Sequence, residues 1–143
     1  MVLFKIDRDL LLNGMKKILI IDDDQVFAKT LQDFLPKGKY ETTHASNGED
    51  GLALIDVVRP DLIILDLLMP KMGGMEFLDE LRKKKLEGEI PILISSQLSK
   101  IEDISKAIVA GIDVGVKGYI IKSSENLNMI VSEINKTLEK YSK

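Results

Sequence analysis

The sequence predicts one α/β domain, in which a parallel five-stranded sheet is covered by helices on both faces. Short apolar runs alternate along the chain with segments in which apolar residues recur at helical spacing. This alternation occurs five times after Gly14, and successive strand–helix units favour a parallel, doubly wound sheet. A single domain accounts for residues 15–143, whereas residues 1–14 have no clear pattern and are interpreted as an N-terminal extension without an assigned role.

Composition narrows the class of protein. The chain has 143 residues, 45% hydrophobic and 30% charged, as expected for one globular domain. Its net charge of −3 disfavours direct binding to nucleic acid. There is no cysteine, no apolar run of the roughly 18–20 residues that a membrane span needs, and no secretory signal pattern. We therefore expect a cytoplasmic protein that does not contact the membrane.

The first half of the chain contains two strand–helix units. Residues 18–21 form a short apolar run, predicted as a strand, before Asp22, Asp23 and Asp24. The following segment has apolar residues at helical spacing and predicts a helix that ends near Pro36. The apolar face of this helix is formed by Phe27, Leu31, Phe34 and Leu35. Residues 40–45 then favour a strand through Tyr and Thr, and a helix begins at Asn47 and ends before Pro60.

The central strand is predicted at residues 62–65, which are apolar throughout and too short for a helix. Such a run is typical of a buried parallel strand covered on both faces. Asp66 follows it, and Pro70 and Gly74 lie in the loop before a helix at residues 75–85.

Two further units complete the predicted sheet. Residues 91–95 form the fourth strand, followed by Ser96 and by a helix that ends near Gly111. Residues 119–121 form a short fifth strand that ends at Lys122. The last helix, at residues 127–141, has the clearest helical spacing in the chain.

Charged and polar residues follow four of the five strands, and the carboxyl ends of parallel strands meet at one edge of a sheet. These residues are Asp22, Asp23, Asp66, Ser96 and Lys122. Clustered carboxylates raise one another's pKa, but they are the ligands that Mg²⁺ prefers. With Mg²⁺ bound, Asp66 can attack a phosphoryl group to form an acyl phosphate. Lys122 and Ser96 then offer a positive charge and a hydrogen-bond donor to the phosphoryl oxygens.

Four segments carry a resemblance to a known family. ILIIDDD, PDLIILDLLMPKMGG, PILISS and GYIIKS occur in this order, and together they resemble the receiver domain of two-component response regulators, of the stand-alone chemotaxis-regulator type. The resemblance extends from residue 16 to the C-terminus. It implies a flavodoxin-like fold with the strand order 2-1-3-4-5.

The resemblance also implies roles for individual residues. Asp66 matches the phosphoacceptor, and Asp22 and Asp23 match the acidic pair that holds Mg²⁺, Asp23 directly and Asp22 partly through water. The main-chain carbonyl of Leu68 would complete the metal ligands. Ser96 matches the switch hydroxyl.

Tyr119 and Lys122 match two further residues of the family, a switch residue and a catalytic residue. Tyr119 matches the aromatic residue that rotates inward on activation, although its position also suits a plain core residue, and Lys122 matches the lysine of the family. A histidine kinase or phosphotransfer protein would donate the phosphoryl group, and an unidentified protein target would respond. On this interpretation the protein is a signalling switch and not an enzyme.

The sequence departs from the family pattern at three places. Gln97 replaces a small residue after the switch hydroxyl, and Ser123 replaces a proline after the lysine, which favours a trans path there. Residues 112–118 make the connection before the last strand about four residues longer than the common pattern, beside the face that such domains use for partners.

Two other interpretations remain open at this stage. Asp22, Asp24 and Val26 also fit the DxDxV motif of haloacid-dehalogenase-like phosphatases, with Asp22 as nucleophile, Asp24 as acid/base, and Ser95 or Ser96 with Lys122 as further motifs. This interpretation lacks an acid pair after Lys122 and leaves Asp66 unexplained, and Asp24 also suits a helix N-terminus. The third interpretation is a degenerate receiver that acts only as a binding module.

Overall fold

The computed structural model describes residues 14–84, 86, 89–97 and 101–141. The N-terminal extension predicted for residues 1–14 lies outside this part of the chain, except for Gly14. Lys85, the predicted end of the third helix, also lies outside it.

Five strands form one parallel sheet in the order β2-β1-β3-β4-β5, which confirms the predicted fold class and strand order. The strands are β1 (Lys16–Ile21), β2 (Tyr40–Ala45), β3 (Leu62–Asp66), β4 (Ile92–Ser96) and β5 (Val116–Ile121). β3 lies between β1 and β4, and all five of its residues are buried. This burial on both faces explains why the strand is apolar up to its last residue.

The described part of the chain has five α-helices and two short 3-10 helices, of which the last α-helix and the second 3-10 helix follow β5. They are α1 (Gln25–Phe34), α2 (Gly48–Val58), α3 (Gly74–Lys84), α4 (Ile101–Gly111) and α5 (Leu127–Tyr141), with 3-10 turns at Ile112–Val114 and Ser124–Asn126. Asp24 and Asn47 cap α1 and α2, because their side chains accept hydrogen bonds from the first-turn amides of Phe27 and Asp50. Among the described helices, none combines the length and apolarity required to cross a membrane.

The core lies on both faces of the sheet. One face packs against α2, α3 and α4, through residues such as Ile63 and Phe77, and the other packs against α1 and α5, through residues such as Ile64 and Ile134. The prediction that Phe34 belongs to the apolar face of α1 is wrong, since its side chain is 41% exposed. Ala28 and Leu31 are the fully buried residues of that helix.

The longer connection predicted at residues 112–118 contains a 3-10 turn and the first residues of β5. The 3-10 turn at Ile112–Val114 leads almost directly into β5, which begins three residues earlier than predicted. Ile92 pairs with Val116 but Leu93 pairs with Gly118, so β5 carries one extra residue at this point. A bulge of this kind accommodates an added residue while the rest of the strand keeps its register.

Arg82 on α3 holds this connection in place. Its guanidinium donates to both carboxylate oxygens of Asp113, at 2.9 and 3.0 Å, and to the main-chain oxygen of Ala110 at 2.6 Å. Gly115 follows, with a φ of +121°, and a Cβ there would lie 2.4 Å from the carbonyl oxygen of Ile90. Glycine is therefore required at the start of the fifth strand.

Arg59 is a site where the backbone carries strain that glycine would relieve. It ends α2 in the left-handed conformation, with φ 52° and ψ 65°, and its amide donates to Ile55 O at 2.8 Å. This conformation costs an L-residue about 1–2 kcal/mol, and glycine loses part of that gain to its larger unfolded-state entropy. We expect Arg59→Gly to raise the free energy of unfolding in urea by about 0.5–1 kcal/mol. Arg59→Ala is the control, because it keeps the Cβ, and an equal gain in both variants would contradict the backbone explanation.

Candidate functional site

Three carboxylates meet at the carboxyl edge of the sheet, as the sequence predicts. Asp22 and Asp23 follow β1, and Asp66 ends the neighbouring strand β3. One carboxylate oxygen from each of the three residues lies within 4.8 Å of the others. Asp22 is fully buried, Asp66 is 7% exposed, and Asp23 is exposed. The cluster is therefore closed towards the core and open to solvent at Asp23.

Lys122 reaches this cluster from the end of β5. Its ammonium nitrogen lies 2.7 Å from Asp22 Oδ2 and 3.4 Å from Asp66 Oδ2, and its side chain is 11% exposed. The main-chain amide of Lys122 donates to Ser96 O at 2.8 Å, which ties the lysine to the end of β4. The structure thus brings Lys122 together with the predicted acids.

The pKa of Asp66 is raised to about 7, because burial disfavours its charged form and because the Asp22 carboxylate lies close by. Lys122 lowers this pKa through its charge and hydrogen bond, but does not outweigh those effects. The sequence predicts repulsion among the acids, and at Asp66 burial makes the larger contribution. One lysine does not fully compensate the cluster.

The donor set fits a hard divalent cation. Mg²⁺ binds oxygen ligands, commonly one or two carboxylates together with water. The cluster provides such ligands, because Lys122 compensates its negative charge only in part and one side is open to solvent. The residues that could hold the ion are Asp22, Asp23 and Asp66, with the main-chain carbonyl of Leu68 two residues beyond Asp66.

Two serines end β4, and both are buried, Ser95 fully and Ser96 to 4% exposure. Ser95 pairs with Asp66 in the strand register, whereas Ser96 pairs with Ile121. The hydroxyl of Ser95 has no hydrogen-bond partner among the described residues. The adjacent Gln97 is exposed.

Tyr119 does not lie in the core. Its side chain is 50% exposed on β5, which lies at the edge of the sheet and, among the described strands, pairs with β4 alone. The prediction of a plain core residue is therefore wrong, and the inward rotation on activation stays a prediction. Ser123, which replaces the proline of the family pattern, has an extended backbone. The described residues contain no cis peptide bond, so the chain takes the predicted trans path there.

Two contacts at the site were not predicted. His44 Nε2 donates to the main-chain oxygen of Asp22 at 2.7 Å, and the ring of Phe27 lies beside the Lys122 ammonium, 5.3 Å from nitrogen to centroid. His44 pairs with Ile20 across β1 and β2, so only the strand register reveals that it can reach Asp22.

Asp24 does not join the acidic cluster. Its Oδ1 accepts a hydrogen bond from the amide of Phe27 at 3.0 Å, so its carboxylate caps α1. This confirms the prediction of a helix N-terminal residue and opposes the role of acid/base that the phosphatase interpretation needs. Within the described residues, the cluster of Asp22, Asp23 and Asp66 is the one group of this kind.

Comparison with known proteins identifies the class. A family model described as "Response regulator receiver domain" matches residues 18–135. The chain therefore belongs to the receiver domains of response regulators, which are signalling phosphoacceptor domains of two-component systems, as the sequence predicts.

Curated relatives include two regulators of Bacillus subtilis. The alkaline phosphatase synthesis transcriptional regulatory protein PhoP is 37% identical over 107 residues, which cover 75% of this chain and 42% of PhoP. The probable C4-dicarboxylate response regulator DctR is 37% identical over 127 residues, which cover 87% of this chain and 51% of DctR. The chain thus spans about half or less of the length of these two relatives.

Solved structures match nearly over their whole length. Chemotaxis protein CheY4 of Vibrio cholerae is 30% identical with a TM-score of 0.67, and the match covers 86% of this chain and 98% of that one. A putative response regulator from Chloroflexus aurantiacus is 28% identical with a TM-score of 0.71, covering 87% and 98%. The phosphorylated cyanobacterial phytochrome response regulator RcpA is 28% identical with a TM-score of 0.70, covering 85% and 92%.

The raised pKa of Asp66 predicts a pH-dependent stability. Between its ordinary pKa of about 4 and the folded value of about 7, the folded protein keeps a proton that the unfolded chain releases. This carboxyl therefore lowers the free energy of unfolding as the pH rises through that window. We expect Asp66→Asn to differ least from the parent near pH 4 and to exceed it by about 1 kcal/mol at pH 8, in urea unfolding without divalent cations. Asp33→Asn, at an exposed carboxyl outside the cluster, is the control, and a difference that does not change with pH would sink the explanation.

The hydroxyl of Ser95 predicts an unusual tolerance in the core. A buried hydroxyl without a partner costs about 1–3 kcal/mol of desolvation, so its removal relieves a cost that offsets the lost packing. We expect Ser95→Ala to leave the free energy of unfolding unchanged or to raise it by up to about 1 kcal/mol. Thr137→Val is the matched control, because Thr137 is also buried but donates to Glu133 O at 2.8 Å, and it should lose stability. A clear loss in Ser95→Ala would mean that this hydroxyl has a partner.

Proposed function

We propose that this chain is the phosphoacceptor switch of a two-component phosphorelay, formed by residues 15–143, and that Asp66 receives the phosphoryl group. The observation that supports this most directly is the meeting of Asp22, Asp23 and Asp66 with Lys122 at one edge of the sheet. The donor is a phosphohistidine of a histidine kinase or phosphotransfer protein, as in the family to which the chain belongs.

Asp66 acts as the nucleophile. A carboxylate oxygen of Asp66 attacks phosphorus as the bond between phosphorus and the donor nitrogen breaks, which gives an acyl phosphate and releases the donor imidazole. A pKa near 7 keeps part of the Asp66 carboxyl ionised at neutral pH. The residues that would hold Mg²⁺ are Asp22, Asp23, Asp66 and Leu68, the last through its main-chain carbonyl, and the ion would neutralise charge on the phosphoryl oxygens.

Lys122 and Ser96 respond to the new group. Phosphorylation removes the charge of the Asp66 carboxylate and places a phosphoryl dianion beside the Lys122 ammonium, which moves towards the stronger negative charge. The Ser96 hydroxyl donates a hydrogen bond to another phosphoryl oxygen. Because the Lys122 amide is bonded to Ser96 O, the ends of β4 and β5 move together and favour a second arrangement in which Tyr119 turns inward.

The output is a changed protein–protein interaction. The surface that includes Tyr119 binds or releases a protein target. On this proposal the domain acts in the cytoplasm and contacts neither nucleic acid nor membrane directly. PhoP, a relative, is a transcriptional regulator, but the net charge of −3 disfavours direct binding of this chain to DNA.

The test of this proposal is the intact mass after incubation with acetyl phosphate and Mg²⁺. We expect the parent protein to gain the mass of one phosphoryl group, because the nucleophile and its charge-neutralising groups are all present in the chain. Asp66→Asn should abolish the adduct and Asp22→Asn should reduce it, whereas Asp24→Asn, outside the cluster, should keep it.

Two outcomes would contradict the proposal. An adduct that survives in Asp66→Asn but is lost in Asp22→Asn would identify Asp22 as the nucleophile and support the phosphatase interpretation. A parent protein that gains no mass from acetyl phosphate or from a phosphorylated histidine donor would leave only a binding module.

A further inference from the structure

The Lys122 ammonium has an aromatic neighbour in addition to its two carboxylates. Its nitrogen lies 5.3 Å from the centroid of the Phe27 ring, 2.7 Å from Asp22 Oδ2 and 3.4 Å from Asp66 Oδ2. Phe27 is half-buried on the first turn of α1 and packs against the core on the α1 and α5 face. The Lys122 side chain is 11% exposed, so little water competes for the ammonium.

The turn between β1 and α1 orients both partners of the lysine. The amide of Asp24 donates to Asp22 Oδ1 at 2.9 Å, and Asp24 Oδ1 in turn accepts from the amide of Phe27 at 3.0 Å. The same short segment therefore aims the Asp22 carboxylate and the Phe27 ring at one ammonium group. The ring contact is consequently part of the architecture of the acidic site and not an isolated surface contact.

An aromatic ring and a carboxylate hold an ammonium in different ways. The face of the ring is negative through its quadrupole and attracts the cation most strongly where water is excluded, yet the ring has no net charge. A further carboxylate at this position would add to the repulsion within the cluster, whereas Phe27 stabilises the lysine without doing so.

We propose that Phe27 is a positioning residue that holds the Lys122 ammonium against Asp22 and Asp66 and thereby weakens the binding of Mg²⁺ to the resting protein. The inference rests on the proposed function insofar as Mg²⁺ is the ion that the site takes. Lys122 and a metal ion would compete, because both are cations that the carboxylates of Asp22 and Asp66 would attract. Whatever stabilises the lysine in place must be overcome when the ion enters.

The test measures the affinity of the unphosphorylated protein for Mg²⁺ by isothermal titration with MgCl₂, without a phosphodonor. We expect Phe27→Leu to bind Mg²⁺ roughly threefold to tenfold more tightly, since leucine keeps an apolar side chain but offers no ring face. Phe27→Tyr should remain close to the parent. Phe34→Leu, two turns further along α1, is the matched control and should also bind like the parent.

Two further sets of variants separate the ring contact from packing. Replacing Phe27 by 4-fluoro- and 3,5-difluorophenylalanine changes the shape little but weakens the ring face stepwise, so the affinity for Mg²⁺ should rise in the same order. In a Lys122→Met background, Phe27→Leu should no longer change that affinity, because the ammonium is absent.

Three results would overturn the inference. They are an unchanged affinity in Phe27→Leu, an equal change with and without Lys122, and no measurable Mg²⁺ binding by the parent. The phosphoryl adduct is measured separately by mass. A parent that binds Mg²⁺ with the predicted dependence on the ring, but forms no adduct, would refute the phosphoacceptor function and support the role of Phe27. A parent that forms the phosphoryl adduct, but whose Mg²⁺ affinity does not depend on the ring, would support the phosphoacceptor function and refute the role of Phe27.

Discussion

Electrostatic repulsion among three carboxylates at one sheet edge is the constraint on which this site depends. The register of β1 and β3 aligns Ile21 with Leu65, so the next residues, Asp22 and Asp66, lie side by side at the same edge. Burial of the Asp66 carboxyl makes the larger contribution and the nearby Asp22 carboxylate adds to it, so that together they raise the pKa of Asp66 to about 7. A folded chain keeps such an arrangement only when cations compensate it, and Lys122 does so in part. The incomplete compensation is the reason that the donor set of this site fits a divalent cation.

The position of Lys122 depends in turn on how β5 joins the sheet. A shift of one residue in a strand moves every side chain to the opposite face, which would take Lys122 away from the acids. The extra residue between Val116 and Gly118 is absorbed as a bulge at the start of the strand, and the pairs from Leu93 and Gly118 onward are regular. Arg82 fixes the preceding 3-10 turn through Asp113. The longer connection is thus accommodated far from the site and leaves its geometry intact.

The sequence predicts those parts of the molecule that follow from strand ends and periodicity. The five strands follow from the alternating apolar patterns, and the meeting of Asp22, Asp66 and Lys122 follows because parallel strands deliver their last residues to one edge. The strand order, in contrast, was implied by the resemblance to receiver domains. The bulge in β5 was not predictable, since strand pairing and not local pattern decides where an extra residue is absorbed. The exposure of Tyr119 depends on the position of β5 at the edge of the sheet. The contact of Phe27 with Lys122 joins residues 95 positions apart on different elements, and apolar spacing indicates only that Phe27 faces inward.

That contact bears on how such a site remains responsive. A second lysine at the position of Phe27 would compensate the carboxylates more completely, but it would also remove the demand for Mg²⁺ that the cluster creates. A second acid would hold Lys122 more firmly, but it would increase the repulsion and the desolvation cost. A neutral ring avoids both effects, because it stabilises the ammonium by an amount small enough for a divalent cation or a phosphoryl group to overcome. An aromatic residue thus keeps Lys122 in place while leaving it free to move when the charge of the site changes.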